Sequence, residues 1–134
     1  MSANVSPIFP ITPVIGIATL TGATAITSRA NITGTTGLVQ LTPATTNGMR
    51  VDAITVKGKG TNLAAANVDI WIFNGTTSYL YDEFDMSLIT PGVTTDSVSL
   101  TKQYTTLILP PTYQLFVSEQ VQADFNVFAF GGAY

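Results

Sequence analysis

"NVDIWIFNGTTSYLYDEF", residues 67–84, decides how this chain folds. Val68, Ile70 and Ile72 alternate with Asp69, Trp71 and Phe73, the period of two that sends successive side chains to opposite faces of a β-strand. Asn74-Gly75 is a strong turn dipeptide, because both residues tolerate positive φ. A partner strand is expected to resume at Tyr79, giving a hairpin with a turn of about four or five residues.

The same reading extends in both directions. "GLVQLT" (37–42) sets Leu38 and Gln40 against Val39 and Leu41. In "RVDAITVKG" (50–58) the apolar phase moves from Val51 and Ala53 to Ile54 and Val56, a slip that predicts a bulge. "KGKG" (57–60) and "TPGVTTDS" (90–97) read as turn and loop, and Pro110-Pro111 should end the strand before it, since proline cannot donate to a ladder. "TYQLFVSEQ" and "ADFNVFAFGGAY" supply a final pair of strands. Breaks rich in Gly, Pro or Thr recur roughly every 8–12 residues with no sustained helical period, the rhythm of a sandwich or barrel. The expectation is an all-β chain: a single antiparallel β-sandwich over residues 18–134, jelly-roll or Greek-key-like, of about eight strands.

"SPIFPITPVIG" (6–16) stands apart from this rhythm. Pro7, Pro10 and Pro13 recur every third residue, each fixing φ and removing a backbone donor. Such spacing would break a membrane helix, and the first basic residue is Arg29, too late for the n-region of a secretory signal. No membrane association is expected. An extended polyproline-type arm over residues 1–17 would reach about 50 Å at ~3.1 Å per residue. It could fold back on its own body or lie on a neighbour. The second reading is preferred, with Pro7, Ile8, Phe9, Pro10, Ile11, Pro13, Val14 and Ile15 as the partner-binding arm. Fixed φ values lower the entropy lost on docking, and each large apolar side chain buried would contribute ~1.5–3 kcal/mol before ordering costs.

Composition points to a partner as well. Charged residues make up 10% of the 134, against a usual share of about 25%. Five basic and eight acidic side chains leave roughly one charge per 500 Å² of a monomer's surface, poor protection against association. The net charge of −3 and the scattered positions of Arg29, Arg50, Lys57, Lys59 and Lys102 argue against nucleic acid as a partner. Several strands are apolar on both faces: Trp71 and Phe73 back onto Ile70 and Ile72, and Phe128 and Phe130 alternate with Phe125, Val127 and Ala129. Either loops or the arm cover the outer rings, or sister subunits do. Trp71, Phe73, Phe128 and Phe130 are therefore candidate subunit-interface residues.

Catalytic equipment is sparse. With no histidine and no cysteine, the commonest general base, the thiolate nucleophile and disulfides are all excluded. "YDEFD" groups Asp82, Glu83 and Asp85, and Glu83 and Asp85 fall on one strand face about 7 Å apart, a loose match to paired glycosidase carboxylates or a calcium site. Acidic residues at a strand edge more often block unwanted pairing. No enzyme activity, cofactor, metal or small-molecule substrate is expected. The sequons at Asn4, Asn31 and Asn74 are the chance matches a Thr-rich chain produces.

The run "ITGTTGLVQL…NGMRVDAITVKGKGT…VDIWIFNGTTSYLYDEF…ITPGVTT…LILPPTYQLFVSEQ…FNVFAFGGAY" over residues 31–134 resembles short all-β structural proteins of tailed bacteriophages, most closely capsid decoration (cement) proteins. "FNVFAFGGAY" and "NGMRVDAITVK" carry most of the likeness, and residues 1–30 lie outside it. That group has a basic residue after the aromatic that follows the hairpin, where this chain has Asp82. The resemblance implies a virion component, made in the host bacterial cytoplasm, that sits on the outer surface of the major capsid protein shell and stabilises it. With the arm and apolar faces above, a homotrimer is expected. The alternatives are a tail, fibre or head-fibre component, or a carbohydrate-binding module stacking sugars on Trp71, Tyr79 and Tyr81.

Overall fold

The structure is a computed structural model that describes residues 10, 12–21 and 24–134. Ten strands follow in chain order: β1 (Thr12–Leu20), β2 (Ile32–Thr33), β3 (Val39–Gln40), β4 (Met49–Gly58), β5 (Ala66–Phe73), β6 (Thr77–Met86), β7 (Ser99–Gln103), β8 (Ile108–Leu109), β9 (Gln114–Glu119) and β10 (Phe125–Ala133). There is no helix among the described residues. The strands form two antiparallel sheets, one ordered β1-β10-β4-β7 with β8 also on β4, the other β2-β6-β5-β9-β3. This is the expected β-sandwich, with β3 and β8 shorter than their sequence patterns and β2 not foreseen.

Among the described residues, only β5 and β6 are both consecutive and paired; every other ladder joins strands that are not neighbours in sequence. Their hairpin is tighter than expected, because β6 begins at Thr77 rather than Tyr79. Asn74 explains the difference. Its Oδ1 accepts from Thr76 N, Thr76 Oγ1 and Thr77 N, while Gly75 takes φ +101°, a conformation that costs glycine little.

The core between the sheets takes one phase of each long strand: Ala18 and Leu20, Ile54 and Val56, Val68 and Ile70, Phe84 and Met86, Leu115 and Val117, Phe125 and Val127. The slip within residues 50–58 is a bulge. Phe130 pairs with Ala53 and Gly131 with Val51, so Asp52 is the extra residue, and Met49, Val51, Ile54 and Val56 all reach the core despite the changed phase. A second bulge in β6, not expected from sequence, makes Tyr81 the extra residue between Leu80 opposite Trp71 and Asp82 opposite Ile70.

Residues 12–17, expected to belong to the arm, instead begin a strand that continues to Leu20 and pairs with β10 from Thr12↔Ala133 to Leu20↔Phe125. The expected division after residue 17 thus falls inside a strand of the sandwich. Proline does not prevent this, because Pro13 lies near the start of an edge strand, where a missing donor is tolerated. Val14 packs partly against the core, and Gly16 allows β1 to close over the other sheet: a methyl at Gly16 would collide with the Leu41 carbonyl oxygen. Pro10 is half-buried beside Gly132. Pro7, Ile8, Phe9 and Ile11 lie outside the described residues.

Candidate functional site

The two outer faces of the sandwich differ in what covers them. On the β2-β6-β5-β9-β3 sheet, the row Gln40–Phe116–Trp71–Leu80 lies on the outer side. Trp71 is nevertheless fully buried, with Nε1 donating to Ser118 Oγ at 2.8 Å. Phe116 is buried beside it and meets Phe73 edge to face, centroids 5.6 Å apart. The connection between β1 and β3 is tied down over this side of the sheet: Ile26 N donates to Glu119 O, Gly34 N to Thr76 O, and Ser78 Oγ to Gly34 O. Trp71 therefore cannot serve as a subunit-interface residue, and Phe73 is half-buried within its own chain. The expected sugar platform loses its central ring too, although Tyr79 and Tyr81 remain exposed.

A polar clasp borders the covered aromatics. Asp69, fully buried, stands opposite Glu83 in the β5–β6 ladder. Gln120 Nε2 donates to Asp69 Oδ2 at 3.1 Å and to Glu83 Oε1 at 3.2 Å. Arg29, from the covering connection, pairs with Glu83 through Nε at 2.6 Å and donates to Gln120 Oε1. Burial pushes Asp69 up to about 6, and the neighbouring Glu83 carboxylate adds to the rise while Gln120 and Arg29 oppose it. The expected acidic cluster is thus rearranged. Glu83 works with Asp69, whereas Asp85, opposite Asn67, is exposed.

Asp82 turns toward the other sheet. Its Oδ1 accepts from Lys102 Nζ at 3.0 Å and its Oδ2 from Tyr104 Oη at 2.7 Å, while Lys102 Nζ also bonds the Glu83 carbonyl and sits 4.8 Å from the Phe84 ring centroid. Burial raises the Asp82 pKa, but Tyr104, Lys102 and the Glu83 amide together leave it below its ordinary value; burial and Asp82 push Tyr104 up. This trio joins the two sheets. On the core side of β9, Glu119 is fully buried, and burial pushes it up to about 7, with the Ala123 amide opposing and Asp124 adding to the rise. No group of three or more potential metal ligands occurs among the described residues.

The other sheet leaves its outer face uncovered along one side. Ile15, Phe130 and Ala53 form one row across β1, β10 and β4; Ile17, Phe128 and Thr55 form the next. Ile15 is 62% exposed, Ile17 60% and Phe130 39%, and the Phe128 and Phe130 rings stack at 6.4 Å. On β1 and β10 these are large apolar side chains side by side, and the face turns polar at Thr55, Thr101 and Gln103 on β4 and β7 and in the next row at Thr19, Asn126, Lys57 and Ser99. Of the expected interface residues, Phe128 and Phe130 lie here. Ile15, expected in the arm, joins them from β1, so the structure brings together residues that the sequence placed in two separate groups.

A second exposed apolar feature projects from the β6–β7 connection. Residues 87–96 are all exposed, and Leu88, Ile89 and Val93 are among them. Gly92 N donates to Thr95 O and Thr95 N to Gly92 O, a closed turn that holds Val93 at its tip. Ser97 Oγ and the Val98 carbonyl anchor the returning leg to Gly58. Sequence reading found the Pro-Gly loop and missed this presentation; the available signal was apolar residues inside a loop too rich in Thr, Pro and Gly to be a strand.

Taken together, the described residues form an antiparallel two-sheet β-sandwich with large apolar side chains exposed on the outer face of one sheet. Comparison with known proteins found no match to a family model, to a curated protein or to a solved structure.

Proposed function

We propose that this chain is a non-enzymatic virion structural protein, a capsid decoration (cement) protein that binds the outer surface of the major capsid protein shell as a homotrimer and stabilises it. One observation carries the reading: Ile15, Ile17 and Phe130 lie exposed in one continuous patch on a chain with few charges to keep it apart from others. Scattered exposed apolar residues are ordinary, but neighbouring ones across two strands mark a contact surface. The resemblance of residues 31–134 to phage structural proteins selects the virion among permanent assemblies. Edge strand β1 carries part of this patch, and residues 1–11, apolar and proline-rich in sequence, supply the grip on the shell in this reading.

The test is reconstitution on expanded capsids that lack the protein. Full-length protein should bind at saturable stoichiometry and raise the temperature at which the shells release their DNA. A chain lacking residues 1–11, which keeps all of β1, should lose most of that binding. Saturation with no gain in shell stability, or binding unaffected by the truncation, would count against the proposal.

A further inference from the structure

We infer that the exposed turn at residues 87–96 of one copy docks on the apolar face of β1 and β10 in a second copy, making a head-to-tail contact. The inference rests on the self-association in the reading above and is independent of the shell.

The two surfaces are complementary in kind. One is a projecting knob of Leu88, Ile89 and Val93, with Val93 at 106% relative exposure, so that nothing in its own chain touches most of that side chain. The other is a broad face offering Ile15, Ile17 and Phe130. The backbone bonds between Gly92 and Thr95 hold the knob in shape before it binds, which lowers the entropy cost of docking. These six side chains present on the order of 600 Å² of apolar surface, close to the apolar share of a small specific interface.

One copy does not satisfy itself, because both sets of side chains are exposed in the folded chain. The knob leads into β7, at one edge of its sheet, and the face lies on β1 and β10 at the other edge. Two to three strand spacings separate them, about 10–14 Å. Charge favours a second copy of this chain as the occupant. Asp96 stands beside the knob and Lys57 borders the face, one row beyond Ile17 and Phe128. Neither belongs to an ion pair among the described residues, so a head-to-tail contact can bring the two opposite charges together at its rim. Because the two surfaces are different patches, the contact is heterologous. It closes into a ring when each step turns through a whole fraction of a circle, and a trimer needs about 120° per step.

Sedimentation of the full-length chain tests this. Wild type should form a closed oligomer. Val93→Asp and Ile17→Asp should each weaken association at least tenfold and run as folded monomers whose melting no longer depends on protein concentration, since both side chains are exposed; Ile15→Asp replaces Ile17→Asp should the latter not fold. An equimolar mixture of the knob variant and the face variant should then form a one-to-one dimer and stop, because only one intact contact survives per pair. A monomeric wild type, a knob variant that assembles normally, or a mixture that stays monomeric would overturn the inference. Loss of shell binding by intact rings would instead overturn the shell reading alone, and full shell binding by monomeric Val93→Asp would support this contact while overturning the homotrimer part of that reading.

Discussion

Asp69 and Glu83 face each other directly across β5 and β6, and the single amide nitrogen of Gln120 donates to both carboxyl groups. Two carboxyls this close share their charge unfavourably, and Asp69, with no exposure to water, is the one held up to about 6. Arg29 reaches the pair from the connection that lies over Trp71's sheet, so the clasp links the titration of a β-strand to the seating of a loop.

The sign of the pH dependence follows from that value. Asp69 titrates near 3.8 when unfolded and about 6 when folded, so between those values the unfolded chain releases a proton that the native state keeps. Its contribution is favourable below pH 3.8 and is lost progressively as pH rises to 6, by on the order of 3 kcal/mol. Asp69→Asn retains the side chain's shape and removes this loss. Urea denaturation should show the variant more stable than wild type at pH 7.5 and nearly equal at pH 4. Equal stability differences at both pH values would contradict the assignment.

Glu119 makes a similar prediction in a different place. It occupies a core-facing position opposite Val68, where an apolar residue would be ordinary. Its pKa of about 7 means that the folded chain carries its proton through mildly acidic pH and loses stability as pH climbs from about 4.5 toward 7. Glu119→Gln should therefore flatten the stability profile across that range, and carboxyl-labelled NMR should place the Glu119 titration well above those of the exposed acids. A Glu119 resonance titrating near 4.5 would refute it.

How much of this was legible in advance depends on period and on distance along the chain. The alternation through Val68–Phe73 and the slip between Val51 and Ile54 gave strands, faces and a bulge, because these are local consequences of a two-residue repeat. Pro110-Pro111 ended β8 for an equally local reason. The fate of Trp71 was not local: whether an outward ring is covered depends on a connection some forty residues earlier, anchored at Thr76 and Glu119. The threefold proline spacing misled for the same reason. It reports extended backbone correctly over Thr12–Ile17 but says nothing of β10 waiting at the far end of the chain. Asp69 and Glu119 each sit in an apolar strand, and a carboxylate there was the one sequence signal of a buried titratable group.

Asp82 behaves in the opposite sense to these two acids. Tyr104, Lys102 and the Glu83 amide outweigh its burial and hold its pKa down, so its contribution is present above the unfolded value near 3.8 and fades as pH falls through the folded one. Tyr104→Phe removes the 2.7 Å bond to Asp82 Oδ2 while keeping the ring against Tyr81. A hydrogen bond to a charged, partly exposed carboxylate should be worth about 1–2 kcal/mol at pH 7. The loss, measured by thermal or urea unfolding, should shrink once the pH falls through the lowered folded-state pKa of Asp82. An undiminished loss in acid would show that ring packing, not the charged bond, joins the sheets here.

Trp71 gives the most direct optical check, because it is the single tryptophan of the chain. Fully buried beside Phe116 and bonded to Ser118, it should emit at short wavelength and resist acrylamide several-fold better than in the unfolded protein. Ser118→Ala leaves the indole nitrogen buried without its acceptor, at a cost of about 1–3 kcal/mol. Arg29→Ala loosens the covering connection without touching the ring's own bond, so it should raise quenching while changing global stability by under about 1 kcal/mol, as expected for an exposed ion pair. The two variants separate burial from bonding. A Trp71 quenched freely in the native wild type would mean that the connection does not cover this face, and the β1–β10 face would then lose its standing as the sandwich's uncovered apolar side.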